Sequence, residues 1–126
     1  MNWSSRQKQT KNERALWNST KNVEVASHWV PLETFSQRLV GLMGRRNIQE
    51  NTAFWINPCP SIHSFFMLAD IDVLFLDQDM KVVKTVKRMT PWRVEGLFSK
   101  ATSVIEGAPG LIAKGQVQKG DQLELR

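Results

Sequence analysis

Residues 71–76, Ile71-Asp72-Val73-Leu74-Phe75-Leu76, constrain the fold more than any other stretch of the chain. The run is continuous and rich in β-branched and aromatic side chains, which predicts a strand buried on both faces. Asp77-Gln78-Asp79-Met80 then has the composition of a turn, and Lys81-Val82-Val83-Lys84-Thr85-Val86-Lys87 returns as a second strand. The two runs predict a β-hairpin.

Other segments read as shorter pieces of the same kind. Ala15-Leu16-Trp17, a polar turn at Asn18–Asn22, and Val23-Glu24-Val25-Ala26 suggest another hairpin, with Trp29-Val30 extending the apolar tendency. Ala53-Phe54-Trp55-Ile56 is a strand candidate, interrupted by Pro58 and Pro60, which cannot donate to a ladder. Extended structure resumes at Ile62–Met67, Thr102–Glu106 and Gln122–Leu125, while Leu111–Lys114 is at most one helical turn. The main helix is expected at about 33–44. Thr34 and Gln37 have capping-box spacing, Phe35, Leu39 and Leu42 form one apolar stripe, and Gly44 is placed to end it. About seven short strands with one good helix predict an α+β domain built on a folded-over, β-barrel-like sheet.

The chain of 126 residues suits a single domain, expected over 15–126, after a polar, basic and mobile arm at 1–14. The formal net charge of +5 is uneven. Arg6, Lys8, Lys11, Arg14 and Lys21 outweigh Glu13 and Glu24, and the rest is close to balanced. No stretch of about 18 apolar residues predicts a membrane span, and the polar start lacks the apolar region of a secretory signal. A cytoplasmic setting is expected, and the single Cys59 fits a reducing compartment. Nucleic-acid binding is not expected, because no patch interleaves Lys or Arg with aromatics.

Several motifs resemble one family. Arg38-Leu39-Val40-Gly41-Leu42-Met43-Gly44-Arg45 is similar to the Arg-x-x-Gly-Leu-(Met/Leu)-Gly-Arg helix end of the domain-of-unknown-function 192 family. The block from Pro58 to Met67, with Ser61-Ile62-His63-Ser64-Phe65-Phe66-Met67, followed by Ile71–Asp77, resembles its second signature. Val104-Ile105-Glu106 through Gly110, then Gly120-Asp121, is similar to its closing segment. The resemblance runs from about Leu16 to Leu125. Three departures stand out: Leu68-Ala69-Asp70 replaces Arg-Phe-Pro, Ala108-Pro109 inverts Pro-Ala, and Gly115 falls one position early. The resemblance implies a compact α+β domain with a β-barrel-like sheet, and no established activity. The Gly120-Asp121 pair also resembles the turn of cradle-loop barrels, in which the Asp side chain accepts backbone N–H bonds.

Three constellations could carry chemistry. Cys59, His63 and Met67, with His28 upstream, offer soft and imidazole ligands at blue-copper spacing, but the loop falls at the wrong place in the chain for such a site, so no metal or cofactor is expected. His63 with Asp72 could act as an acid–base pair if their strands are neighbours, or Asp72 could accept N–H bonds or pair with Arg38. Arg93, beside Trp92 in a Pro-bearing loop, could rim a pocket. The expected function is therefore a ligand- or partner-binding module. His63, Met67, Asp72, Arg38 and Arg93 would recognise a small-molecule or peptidic ligand within an apolar sheet face. The alternatives are a small enzyme using His63 and Asp72, and an accessory module binding an anionic partner through the basic arm.

Overall fold

A computed structural model describes residues 15–32, 51–57, 61–63, 70–90, 94–96 and 101–126, with side chains for all of these except 32, 61–63 and 94–96. The expected helix at 33–44 and the arm at 1–14 lie outside the described residues, as do Cys59, Met67, Arg38 and Arg93.

The Ile71–Leu76 strand is the centre of the structure. It is β6, and all six of its side chains are buried. It lies within a five-stranded sheet of order β3-β4-β9-β6-β7, made of His28–Leu32, Thr52–Ile56, Ser103–Gly107, Ile71–Leu76 and Val82–Met89. The β6–β7 hairpin forms as predicted, and β9 flanks β6 on its other side, antiparallel. β3 and β4 are parallel. A parallel pair requires a long connection, and the sequence between β3 and β4 is long enough for one.

A three-stranded antiparallel sheet of order β10-β1-β2 joins Leu123–Leu125, Leu16–Asn18 and Val23–Ala26. It meets the larger sheet where Lys81 bridges Gln122 and the Val82 amide donates to the Asp121 carbonyl at 2.9 Å. Ser61–His63 (β5) and Val94–Gly96 (β8) pair as a separate two-stranded sheet. The one helix among the described residues, α1, is the single turn Leu111–Lys114.

The α+β class stands, with β-structure dominant. Among the described residues the barrel does not close: β2 and β3 are sheet edges with no ladder between them. Only Ser27 separates β2 from β3, so the chain turns from one sheet into the other there. Pro31 in β3 also has no N–H to give a neighbour on that side. The described residues hold ten strands where about seven were expected, because segments of three residues such as β5 and β8 pair.

Side chains alternate across the central sheet and build two cores. Leu74, Leu76, Ile105 and Ala53 pack with Leu16, Val25, Leu123 and the α1 residues Leu111 and Ile112. On the opposite face Ile71, Val73, Phe75, Val86, Met89 and Val104 cluster, with Phe54 and Ile56 beside them. Burying a side chain such as Phe75 contributes about 2–3 kcal/mol, so the two-faced burial of β6 anchors the domain.

Candidate functional site

Of the five side chains expected to form the site, Asp72 is the one described, and its carboxylate is fully engaged. The β6–β7 register shifts between Ile71 and Val73, so that Asp72 faces both Lys87 and Arg88. This β-bulge leaves one backbone amide without a ladder partner. Arg88 occupies it at φ 51°, and its N–H donates to Asp72 Oδ1 at 2.9 Å. Asp72 Oδ2 accepts the N–H groups of Gly110 at 3.1 Å and Ile112 at 3.0 Å. The first amides of a helix have no partner inside it, and Asp72, 2% exposed, satisfies two donors where the chain enters α1. One carboxylate thus ties the β7 bulge to the α1 corner.

His63 stands in β5 opposite Val94, in the two-stranded sheet. β6 has β7 and β9 as its ladder neighbours, so His63 and Asp72 share no ladder. Arg88 places its guanidinium 3.6 Å from the Asp70 carboxylate at the surface.

The Gly120-Asp121 turn matches its expected geometry. Gly120 has φ 95°, and Asp121 Oδ2 accepts the Gln118 N–H at 3.0 Å. The same oxygen accepts Asn18 Nδ2 at 3.0 Å and Lys21 Nζ at 2.8 Å. Burial alone would raise the Asp121 carboxyl, but these bonds from Lys21, Asn18 and Gln118 outweigh it and hold the group below its ordinary value. Asn18 also donates to the Gly115 carbonyl at 2.9 Å, so the network is saturated and serves to lock β1 onto the α1–β10 connection.

Among the described residues two buried polar atoms lack such company, the Trp55 indole N–H and Oε1 of Glu106 in β9, neither singled out by the sequence. Glu106 is 2% exposed, its register partners are Phe54 on β4 and Val73 on β6, and its Oε1 has no hydrogen-bond partner. Burial pushes its pKa from 4.5 up to about 8, so it is protonated at neutral pH. A neutral carboxyl in an apolar wall offers both a donor and an acceptor. The available signal was a Glu inside a strand whose neighbours, Val104 and Ile105, both read as buried; the register partners that leave it unpaired were not legible. Among the described residues no group of three His, Cys, Asp or Glu side chains is arranged to hold a metal ion.

A five-stranded sheet with a three-stranded sheet packed on one face defines a small α+β domain. The profile of the DUF192 family (Uncharacterized ACR, COG1430) matches residues 11–125, and the chain belongs to that family. It is 40% identical to a UPF0127 protein of Thermococcus kodakarensis over 95 residues, spanning 71% of this chain and 59% of that one. A UPF0127 protein of Pyrococcus horikoshii is 33% identical over 112 residues, spanning 85% and 95% of the two chains. The fold is similar to a crystal structure of a protein of unknown function from Novosphingobium aromaticivorans. That match has a TM-score of 0.72 at 16% identity and covers 89% of this chain and 83% of the other. At that identity the likeness concerns the fold alone. Among the described residues no helix is long and apolar enough to cross a membrane.

Proposed function

We propose that the domain is a binding module for a small or peptidic ligand, and that Glu106 is the polar group the ligand engages. Glu106 Oε1, buried without a hydrogen-bond partner on an otherwise apolar sheet face, supports this reading. A buried polar group without a partner is unfavourable by about 1–3 kcal/mol. An apolar residue there would make a more stable protein, so the carboxyl is best explained by a partner it meets in function. A protonated carboxyl matches a ligand presenting a donor and an acceptor side by side, as an amide does.

Because Glu106 is sealed, binding starts from an opened conformation in which that face is uncovered. In this proposal Arg38, His63, Met67 and Arg93 line the ligand, and Asp72 fixes the sheet rather than touching it. The module acts in a reducing, cytoplasmic setting.

The test is saturation-transfer NMR of the full chain with a set of blocked dipeptide amides. Wild-type protein should give saturable signals with at least one of them. Glu106→Gln should retain part of the binding, and Glu106→Leu should lose roughly tenfold or more in affinity while melting at a higher temperature. Leu-variant binding equal to wild type would overturn the role of Glu106. His63→Ala, Arg38→Ala and Arg93→Ala variants that all bind normally would remove those residues from the site.

A further inference from the structure

On the opposite face of the central sheet, where β4 and β6 end and β9 begins, there is a cavity of about 210 Å³. Its apolar wall is Trp55 and Met80, and its polar lining comes from Asn57, Asp77, Gln78, Thr102 and Ser103. We infer that this cavity is a second binding site, for a small polyhydroxylated ligand of monosaccharide size, distinct from the Glu106 face and independent of it.

The lining is chemically selective. One carboxylate, two carboxamides and two hydroxyls surround an indole and a thioether. Carboxamides pair with ligand hydroxyls as both donors and acceptors, a carboxylate as an acceptor, and an indole covers the C–H face of a sugar ring. Part of the acceptor capacity is unspent among the described residues. Asp77 commits Oδ1 to the Asp79 and Lys81 amides, at 2.8 and 2.9 Å, and its Oδ2 has no hydrogen bond among the described residues. The Trp55 indole N–H likewise has no acceptor. Among the described residues of the lining Asp77 is the only charged side chain, so a neutral ligand with several hydroxyls uses more of these groups than a simple cation does.

Met80 adds a second argument. It sits at φ 65°, in the left-handed region, where glycine is the unstrained choice. The turn itself needs only backbone atoms from this residue, whose N–H donates to the Asp77 carbonyl at 3.1 Å and whose carbonyl accepts the Leu123 N–H at 3.0 Å. The side chain is therefore kept against backbone strain, where it packs on the core and forms the cavity wall. That position places the thioether in the cavity wall.

The full chain, labelled with nitrogen-15, is titrated separately with D-glucose, D-galactose, D-xylose, glycerol and ethylammonium. At least one sugar should give saturable shifts, in the millimolar range, at the Trp55 indole and at the amides of Asn57, Gln78, Met80 and Thr102. Asp77→Asn keeps an oxygen for the turn but replaces Oδ2 with an NH2 group, and should weaken binding roughly tenfold with the rest of the spectrum unchanged. Thr102→Val, at an exposed position, should weaken it similarly. Glu106→Leu should leave the sugar shifts as they are, which separates this site from the proposed function. No saturable shift with any polyol, saturation by ethylammonium alone, or unchanged affinity in both cavity variants would overturn the inference.

Discussion

At the scale of single residues, two buried carboxyls on neighbouring strands have opposite fates. Asp72 and Glu106 are set by the β6–β9 register on opposite faces of one sheet. Asp72 meets three backbone N–H groups, and Glu106 meets Phe54 and Val73. The first is held by the polypeptide itself, and the second is left for something else. Asp72→Asn tests the distinction. An amide has one accepting oxygen, and its NH2 group would face a backbone donor at Arg88 or at the α1 corner. The variant should lose about 3 kcal/mol of stability in urea denaturation, with no loss of binding beyond what unfolding explains. A change below about 0.5 kcal/mol, the scale of an ordinary surface substitution, would mean that the three bonds do not hold the corner.

At the scale of elements, α1 docks on β2 because the chain leaves it through Gly115. A Cβ there would lie 2.7 Å from Val25 Cγ2 and 2.9 Å from Cγ1, while the backbone, at φ −84°, is ordinary for any residue. The restriction is space alone. Gly115→Ala should therefore be destabilising by about 1–3 kcal/mol, and adding Val25→Ala should recover part of that, since the second change removes the clashing methyls. Additive losses in thermal melts of the double variant would contradict the contact. Elements of this kind were unevenly legible in the sequence. β6 was readable to the residue because burial on both faces leaves an unbroken apolar run, and the α1 turn and β10 were readable from their glycines. The parallel pairing of β3 with β4 was not, since register depends on partners distant in the chain. β8, three residues long, carries too little pattern to detect. Asp72 stood out as a charge in an apolar run. Its partners are backbone amides brought in by a bulge and a helix corner, which no side-chain spacing reports. Glu106 passed as an ordinary strand residue for the same reason.

For the molecule as a whole, these carboxyls set how stability varies with pH, and they act in opposite directions. Asp121 titrates below its ordinary value in the folded protein, so its contribution is present above about pH 3.8 and is lost as the pH falls through its lowered folded value. Glu106 does the reverse. Unfolded, it ionises near 4.5; folded, it keeps its proton to about pH 8. Below 4.5 both states are protonated and nothing is lost. Between these values the folded state binds the extra proton, so stability falls as pH rises, by about 1.4 kcal/mol per unit. The loss levels off above pH 8 at a total on the order of 5 kcal/mol. The summed contribution of these two groups is greatest near pH 5. Glu106→Gln removes the titration and keeps the size of the side chain, so denaturation curves at pH 5, 7 and 9 should show a steep decline for wild type and a nearly flat response for the variant. Lys21→Met should leave that alkaline limb unchanged and instead shift the acid limb upward, because Asp121 loses the cation that holds it ionised. If the Gln variant kept the wild-type slope, Glu106 would not be the protonated group at the centre of the sheet, and the carboxyl proposed to meet a ligand would be a charge already satisfied inside the protein.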